Sequence, residues 1–164
     1  MTAKDLYENC RSWLQFAETK NGFALAFCGA VIAAEVSLLS GVEPMFKPFV
    51  LLSMLLMTVA AICSLISFVP QDKVSPGVNA GRATPKGIVF FGHIAMHDGA
   101  GFVARASQVF GVEEKDSLSI ELLDQCHTLS VITVRKLRLF YASVVIAGLG
   151  FVLPLVAAAG RWIC

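Results

Sequence analysis

Three long apolar segments dominate the pattern of hydrophobic and polar positions along the chain. Residues 49–69 and 139–160 carry no charged side chain, and residues 21–40 carry only Glu35. A helix of about 20 residues rises about 30 Å, which matches the hydrocarbon thickness of a bilayer. The pattern predicts three transmembrane helices, with Pro154 near the far end of the third, where a membrane helix tolerates proline.

Two amphipathic segments run directly into the first and third apolar segments. Residues 2–20 and 113–138 contain neither glycine nor proline, and their apolar residues recur at helical spacing. The apolar positions are Leu6, Cys10, Trp13, Ala17, Leu118, Leu122, Cys126, Leu129 and Ile132. We therefore expect two long helices that protrude from the membrane as continuations of the spans.

The segment between the second and third spans, 70–138, is the largest polar part of the chain. Its first part, 71–87, is rich in glycine and proline and is predicted to be a linker. A short helix over about 98–110 follows, with Asp98 as its N-cap and Gly111 at its end. The predicted fold class is an all-α membrane protein: three transmembrane helices, with two long helices extending into a small cytosolic helical domain.

Composition and charge exclude several classes of protein. Hydrophobic residues make up 56% of the chain, charged residues only 15%, and the net charge is +1. An ordinary soluble domain carries more charge, a disordered chain is far less apolar, and a nucleic-acid-binding protein carries more positive charge. The expected partner is therefore the lipid bilayer, and no nucleic-acid partner is predicted.

The distribution of lysine and arginine predicts the orientation of the spans. These residues concentrate before the first span and in 70–138, whereas only Lys47 lies in the first loop and only Arg161 in the C-terminal tail. The positive-inside rule places the N-terminus and 70–138 in the cytoplasm and the C-terminus outside.

Motifs of catalysis or metal binding are not evident. The five cysteines form no CxxC pair, so we expect no disulfide framework, although Cys164 faces the oxidising side in the predicted topology. His93 and His97 have a spacing that can hold a metal, but no carboxylate-rich surroundings support it. We predict neither a metal, nor a cofactor, nor enzymatic activity.

Three short segments resemble the Pycsar membrane effector family. Trp13 followed by Ala17-Glu18-Thr19-Lys20 resembles the acidic-x-Lys entry into its first span, where aspartate is usual in place of Glu18. Phe90-Phe91-Gly92-His93-Ile94 resembles an FFGHI-like segment. Asp124-Gln125, Leu129-Ser130 and Lys136 resemble the spacing before its last span.

The resemblance implies a role in bacterial anti-phage immunity. A partner cyclase would supply a cyclic pyrimidine mononucleotide, cyclic CMP or cyclic UMP. The effector would sense this nucleotide and impair the inner membrane, which arrests growth or kills the infected cell. The multi-pass protein would then lie in the cell inner membrane.

A receptor for such a nucleotide needs a cation or backbone donors for the phosphate and a flat group on which the base stacks. The candidate ligand-binding residues are Lys20, Phe90, Phe91, His93, Arg135 and Lys136. Topology alone also explains the cations, and Glu18 can pair with Lys20 or Lys136 to hold the two long helices together. The two phenylalanines equally suit core or interfacial anchors. Candidate structural or gating residues are Trp13, Glu18, Glu35 and Asp124.

Glu35 is the one acidic residue within a predicted span, so it is either functional or a side chain that reaches toward the outer interface. Ala26, Ala30 and Ala34 repeat at every fourth position, and Ser143 and Ala147 do the same, which favours close helix packing in lipid. Three spans are too few to enclose a sizeable pore, so we expect a homo-oligomer. The alternative functions are a non-enzymatic membrane adaptor and a small constitutive channel subunit with Glu35 on its ion path.

Overall fold

The described part of the chain consists of helices joined by short connections and contains no strand. The computed structural model describes residues 1–69, 87–113 and 115–163, with side chains up to residue 156. The helices are α1 (Ala3–Leu38), α2 (Lys47–Ile66), α3 (Phe91–Ile94), α4 (Gly99–Phe110) and α5 (Ser117–Ile163). The predicted linker, 71–87, lies outside the described residues except for Gly87, and Cys164 also lies outside them.

Three of these helices, α1, α2 and α5, are long and apolar enough to cross a membrane. The predicted fold class, an all-α protein with three membrane-spanning helices, is therefore confirmed. The first two predicted segments along the chain, 2–20 and 21–40, both lie mainly in α1, because nothing in the sequence between them ends a helix. The segments 113–138 and 139–160 are joined in the same way within α5.

The chain divides into two compact units. The extramembrane unit comprises Met1–Ala17 and Pro70–Lys136, and the membrane unit comprises Glu18–Val69 and Leu137–Cys164. Both α1 and α5 contribute residues to each unit.

The extramembrane unit has its own apolar core, formed where α1, α3, α4 and α5 meet. Its fully buried side chains include Leu6, Ile94, Phe102 and Leu123. The residues at the two ends of α4 determine where this helix begins and where it stops. Asp98 accepts a hydrogen bond from the Gly101 backbone N–H at 2.9 Å at the start. At the other end Gly111 has a φ of 64°, a left-handed conformation that glycine adopts without steric cost.

The buried face of α5 differs from the apolar stripe predicted for it. Leu118, the first residue of that stripe, is 66% exposed. The fully buried positions in this part of the helix are Leu123, Cys126, Ser130 and Thr133. Thr133 can be buried because its hydroxyl donates to the Leu129 carbonyl of its own helix. The face of α5 that packs against α1 therefore includes small polar residues.

In the membrane unit, most of the buried positions of α2 and α5 are occupied by small residues. Along α2 the buried residues are Val50, Ser53, Met57, Ala60 and Ser64, and α5 adds Ser143, Ala147 and Gly150. Most large apolar residues of α2 are exposed instead. Such an arrangement is typical of membrane helices, because small residues let backbones approach while large ones contact lipid.

Candidate ligand site and membrane contacts

Four of the predicted site residues come together in one aromatic cluster, which we define as Trp13, Phe90, Phe91 and His93. The ring of Trp13 lies 4.9 Å from Phe91 and 6.4 Å from Phe90, measured between centroids. Phe90 lies 4.6 Å from Phe91 and 5.5 Å from His93. These distances fall in or near the range of favourable aromatic pairs. The cluster belongs entirely to the extramembrane unit.

The local backbone gives the two phenylalanines different environments. Phe90 is extended and precedes α3, whereas Phe91 is the first residue of that helix. Phe91 is 7% exposed and Phe90 is 49% exposed. Gly92 permits this arrangement, because a Cβ at that position would lie 2.7 Å from Cε1 of Phe90. Phe91 is therefore a core anchor, and Phe90 and the exposed His93 present ring surface to solvent.

The predicted cations divide between the two units. Arg135 is exposed and Lys136 is half-buried, and both lie on α5 at the end of the extramembrane unit. Lys20 belongs to the membrane unit, where its Nζ lies 5.5 Å from the centroid of the Phe140 ring, a cation–π contact. A single anion pocket shared by Lys20 and Lys136 stays a prediction.

Glu18 and Asp124, predicted to be structural or gating residues, also lie in different units. Glu18 is half-buried at the start of the membrane unit, and Asp124 is exposed on α5 in the extramembrane unit. The roles that the sequence suggests for them stay predictions.

Two histidines flank Phe102 in the core of the extramembrane unit. The His97 and His127 rings lie 6.0 and 6.1 Å from the Phe102 ring, and His127 Nε2 lies 2.9 Å from the His97 carbonyl oxygen. Burial, assisted by the positive charge of Arg105, lowers the pKa of His97 below its ordinary value of 6.5. In the described residues no cluster of histidine, cysteine and acidic side chains is suited to a metal ion.

Two cysteines connect α1 with α5 in the same core. Cys10 and Cys126 are buried free thiols on these two helices. The Sγ of Cys10 lies 3.5 Å from the Ser130 hydroxyl. The neighbouring Cys126 thiol and, to a lesser degree, the Ser130 hydroxyl lower the pKa of Cys10 below its ordinary value, against the opposing effect of burial.

A separate open cavity of about 420 Å³ lies at the opposite ends of α1 and α4 from the predicted site residues. Its lining includes Thr2, Phe110, Glu113 and Asp116. The carboxylates of the last two residues make it unsuited to an anionic ligand.

Sequence reasoning missed two buried polar contacts in the membrane unit. The Ser53 Oγ lies 2.5 Å from Oε1 of Glu35 and 2.7 Å from the carbonyl oxygen of Gly150, so α1, α2 and α5 meet at this serine. In the second contact, Ser143 donates to the Ala60 carbonyl at 2.8 Å and lies 2.9 Å from the Ser64 hydroxyl.

One feature of the sequence, Pro154, could have indicated the contact between Ser53 and Gly150. Pro154 lies four residues after Gly150 and has no N–H, so the Gly150 carbonyl lacks its donor within α5. Glu35 itself is 6% exposed, so its side chain is buried in this contact.

Comparison with known proteins identifies one family. The family model described as the Pycsar effector protein domain matches residues 2–161, nearly the whole chain. No curated protein and no solved structure matches it. The family is not a known enzyme family, and the three apolar helices are those of a multi-pass membrane protein. The chain therefore belongs to the Pycsar effector protein family, with a role as an effector of Pycsar anti-phage defence.

Proposed function

We propose that this effector senses a cyclic pyrimidine mononucleotide, cyclic CMP or cyclic UMP, and responds by impairing the integrity of the inner membrane. The observation that carries the proposal is the aromatic cluster, whose Phe90 ring is about half exposed in the extramembrane unit. Membership of the Pycsar effector family supports the same ligand class, since the nucleotide would be made by a partner cyclase.

The chemistry of the cluster suits a nucleotide base. A pyrimidine stacks on the exposed face of Phe90, and His93 beside it offers a ring nitrogen to the edge of the base. Trp13 and Phe91 support Phe90 from behind, which keeps the platform in place before the ligand binds. Arg135 and Lys136 on α5, which belong to the same unit as the aromatic cluster, are the proposed cations for the phosphate.

The response reaches the membrane through α1 and α5. Both helices contribute residues to the unit that holds the aromatic cluster and to the unit that holds the spans. A nucleotide that changes the packing around Trp13 therefore acts on a helix that also crosses the bilayer. The N-terminus and 70–138 face the cytoplasm in this proposal, where the cyclase releases its product, and the C-terminus lies outside.

Membrane damage requires several copies, because three spans are too few to enclose a sizeable pore. We assign the contact between copies to the exposed small residues of α1. Ala26, Ala30 and Ala34 are exposed, as is Gly29 on the same side of the helix. The other predicted small-residue pair, Ser143 and Ala147, is buried within the membrane unit of one chain.

Calorimetry of the purified protein in detergent tests the proposed sensing directly. We expect heat of binding with cyclic CMP or cyclic UMP, and weaker or no binding with cyclic AMP and cyclic GMP. Because base stacking on an aromatic ring is worth about 1–3 kcal/mol, Phe90→Ala should weaken binding by roughly 5- to 160-fold. Leu118→Ala, which removes another exposed apolar side chain from the extramembrane unit, should leave affinity unchanged. An absence of heat with all four nucleotides contradicts the proposal.

A further inference from the structure

The contact of Glu35, Ser53 and Gly150 has more short oxygen–oxygen distances than the serine hydroxyl has hydrogens to fill. All three residues are buried, and the serine oxygen lies within hydrogen-bond distance of both the Glu35 carboxyl and the Gly150 carbonyl. A serine hydroxyl carries one hydrogen, whereas a carbonyl oxygen and an ionised carboxylate carry none. Two short contacts therefore compete for a single hydrogen.

The Gly150 carbonyl needs a donor from outside its own helix. In an uninterrupted helix its partner would be the N–H of residue 154, but proline occupies that position. Within a membrane, a carbonyl freed by proline is satisfied by a nearby serine or threonine hydroxyl. The 2.7 Å distance from Ser53 Oγ to Gly150 O is that of a normal O–H···O bond. The Gly150 carbonyl is therefore satisfied when it accepts the serine hydrogen.

A hydrogen from Glu35 is then needed for the second contact. Its Oε1 lies 2.5 Å from Ser53 Oγ, and two oxygens this close without a hydrogen between them repel each other. The other carboxyl oxygen, Oε2, is buried and has no hydrogen-bond partner among the described residues. An ionised carboxylate would leave its charge uncompensated there, whereas a neutral acid does not.

Among the described residues, no cation is paired with Glu35 that would stabilise its ionised form. Its side chain hydrogen-bonds to Ser53, and no lysine or arginine in the described part of the chain pairs with it. The titratable side chains that α2 and α5 bring to the described membrane unit likewise form no pair with Glu35; they are Lys47, Cys63, Arg138 and Tyr141.

The second polar contact of the membrane unit provides an internal comparison. There Ser143 donates its hydrogen to the Ala60 carbonyl, and the Ser64 hydroxyl supplies the hydrogen for the remaining contact. This chain of two hydrogen bonds is complete without any titratable group. At Ser53, the carboxyl group of Glu35 takes the place that the Ser64 hydroxyl has in the other contact. The second hydrogen bond therefore forms only if this carboxyl group carries a proton.

We propose that Glu35 is a proton-binding site within the membrane unit. Its neutral carboxyl group donates to Ser53, and Ser53 in turn donates to Gly150. The bound proton thereby joins α1, α2 and α5. Release of the proton leaves two acceptor oxygens in contact and separates α1 from α2, so the packing of the membrane unit depends on proton occupancy. This inference does not rest on nucleotide sensing.

Infrared spectroscopy of the protein in an ester-free detergent at neutral pH tests the proposal. A protonated carboxyl group has a C=O stretching band in a region where carboxylates do not absorb. We expect one such band in the wild type, its complete loss in Glu35→Gln, and its retention in Glu43→Gln, which changes an exposed carboxyl group of the first loop. The side-chain amide introduced by Glu35→Gln can still donate to Ser53, so this variant preserves the packing.

A second variant provides an independent test if Glu35→Gln does not fold. Ser53→Ala removes the acceptor of the Glu35 proton, so the C=O band should move to higher frequency. A spectrum of Glu35→Gln that superimposes on the wild type in this region overturns the proposal. A band that stays unmoved in Ser53→Ala also overturns it.

Discussion

His97 is the residue of the extramembrane unit whose environment gives the clearest dependence of stability on pH. Burial lowers its pKa below 6.5, so the folded protein holds this side chain neutral under conditions in which the unfolded chain protonates it. Stability is therefore complete above pH 6.5 and decreases as the pH falls from 6.5 toward the folded-state pKa.

Thermal unfolding followed by tryptophan fluorescence measures this effect. In a Trp162→Phe background, Trp13 is the remaining tryptophan and reports on the extramembrane unit. We expect the unfolding midpoint to decrease on acidification below pH 6.5 and His97→Gln to flatten this dependence. His93→Gln controls for the loss of an exposed histidine. An equal pH dependence in wild type and His97→Gln contradicts the assignment.

At the scale of helices, Ser53 and Pro154 should be energetically coupled. Ser53→Ala leaves the Gly150 carbonyl without a donor, which should cost about 1 kcal/mol in unfolding free energy. In a Pro154→Ala background, residue 154 regains its N–H and can satisfy Gly150 within α5, so the same substitution should cost less.

Unfolding of the four variants in detergent forms the double-mutant cycle that measures this coupling. Thr58→Ala is the matched control, because this exposed threonine of α2 donates only to the Met54 carbonyl of its own helix. A cost of Ser53→Ala that is the same in both backgrounds would show that Gly150 does not depend on the serine.

The helices themselves follow from simple features of the sequence. Segments 49–69 and 139–160 lack charge, and the absence of glycine and proline in 2–20 lets the first amphipathic segment continue into α1. The ends of α4 are also encoded locally, by Asp98 and Gly111. These features act through neighbouring residues, which is why a single sequence suffices to predict them.

The buried face of α5 and the serine contacts were not predictable in the same way. The hydropathy pattern predicted the burial of Cys126 but also favoured Leu118, which is exposed, whereas Leu123 and Ser130 are buried without having been predicted. Ser53 and Gly150 are 97 residues apart in the chain, and their contact depends on how α2 meets α5. The aromatic cluster was found through the resemblance to a family, whereas the support of Phe90 by Trp13 needed the fold.

At the scale of the whole molecule, the exposed small face of α1 should determine assembly. Gly29 and Gly148 are both exposed glycines of membrane-spanning helices, and a Cβ built at either position meets nothing within 4 Å. A side chain at either position therefore starts in open space at the surface of the chain. We expect Gly29→Leu to shift the protein toward smaller oligomers, because it adds bulk to the proposed contact face.

Native mass spectrometry in detergent measures the oligomer distribution. Gly148→Leu is the matched control and should leave the distribution unchanged, since it makes the same change on α5. Equal distributions for Gly29→Leu and wild type would assign the contact between copies to another surface.

The most direct test of the account is release of a trapped dye from proteoliposomes upon addition of nucleotide. The account predicts release with cyclic CMP or cyclic UMP, little with cyclic AMP or cyclic GMP, and a loss of the response in Phe90→Ala at equal incorporation. Leu118→Ala should respond as the wild type does. Release that is equally fast without nucleotide, as a constitutive channel would give, or no release with any nucleotide, would contradict it.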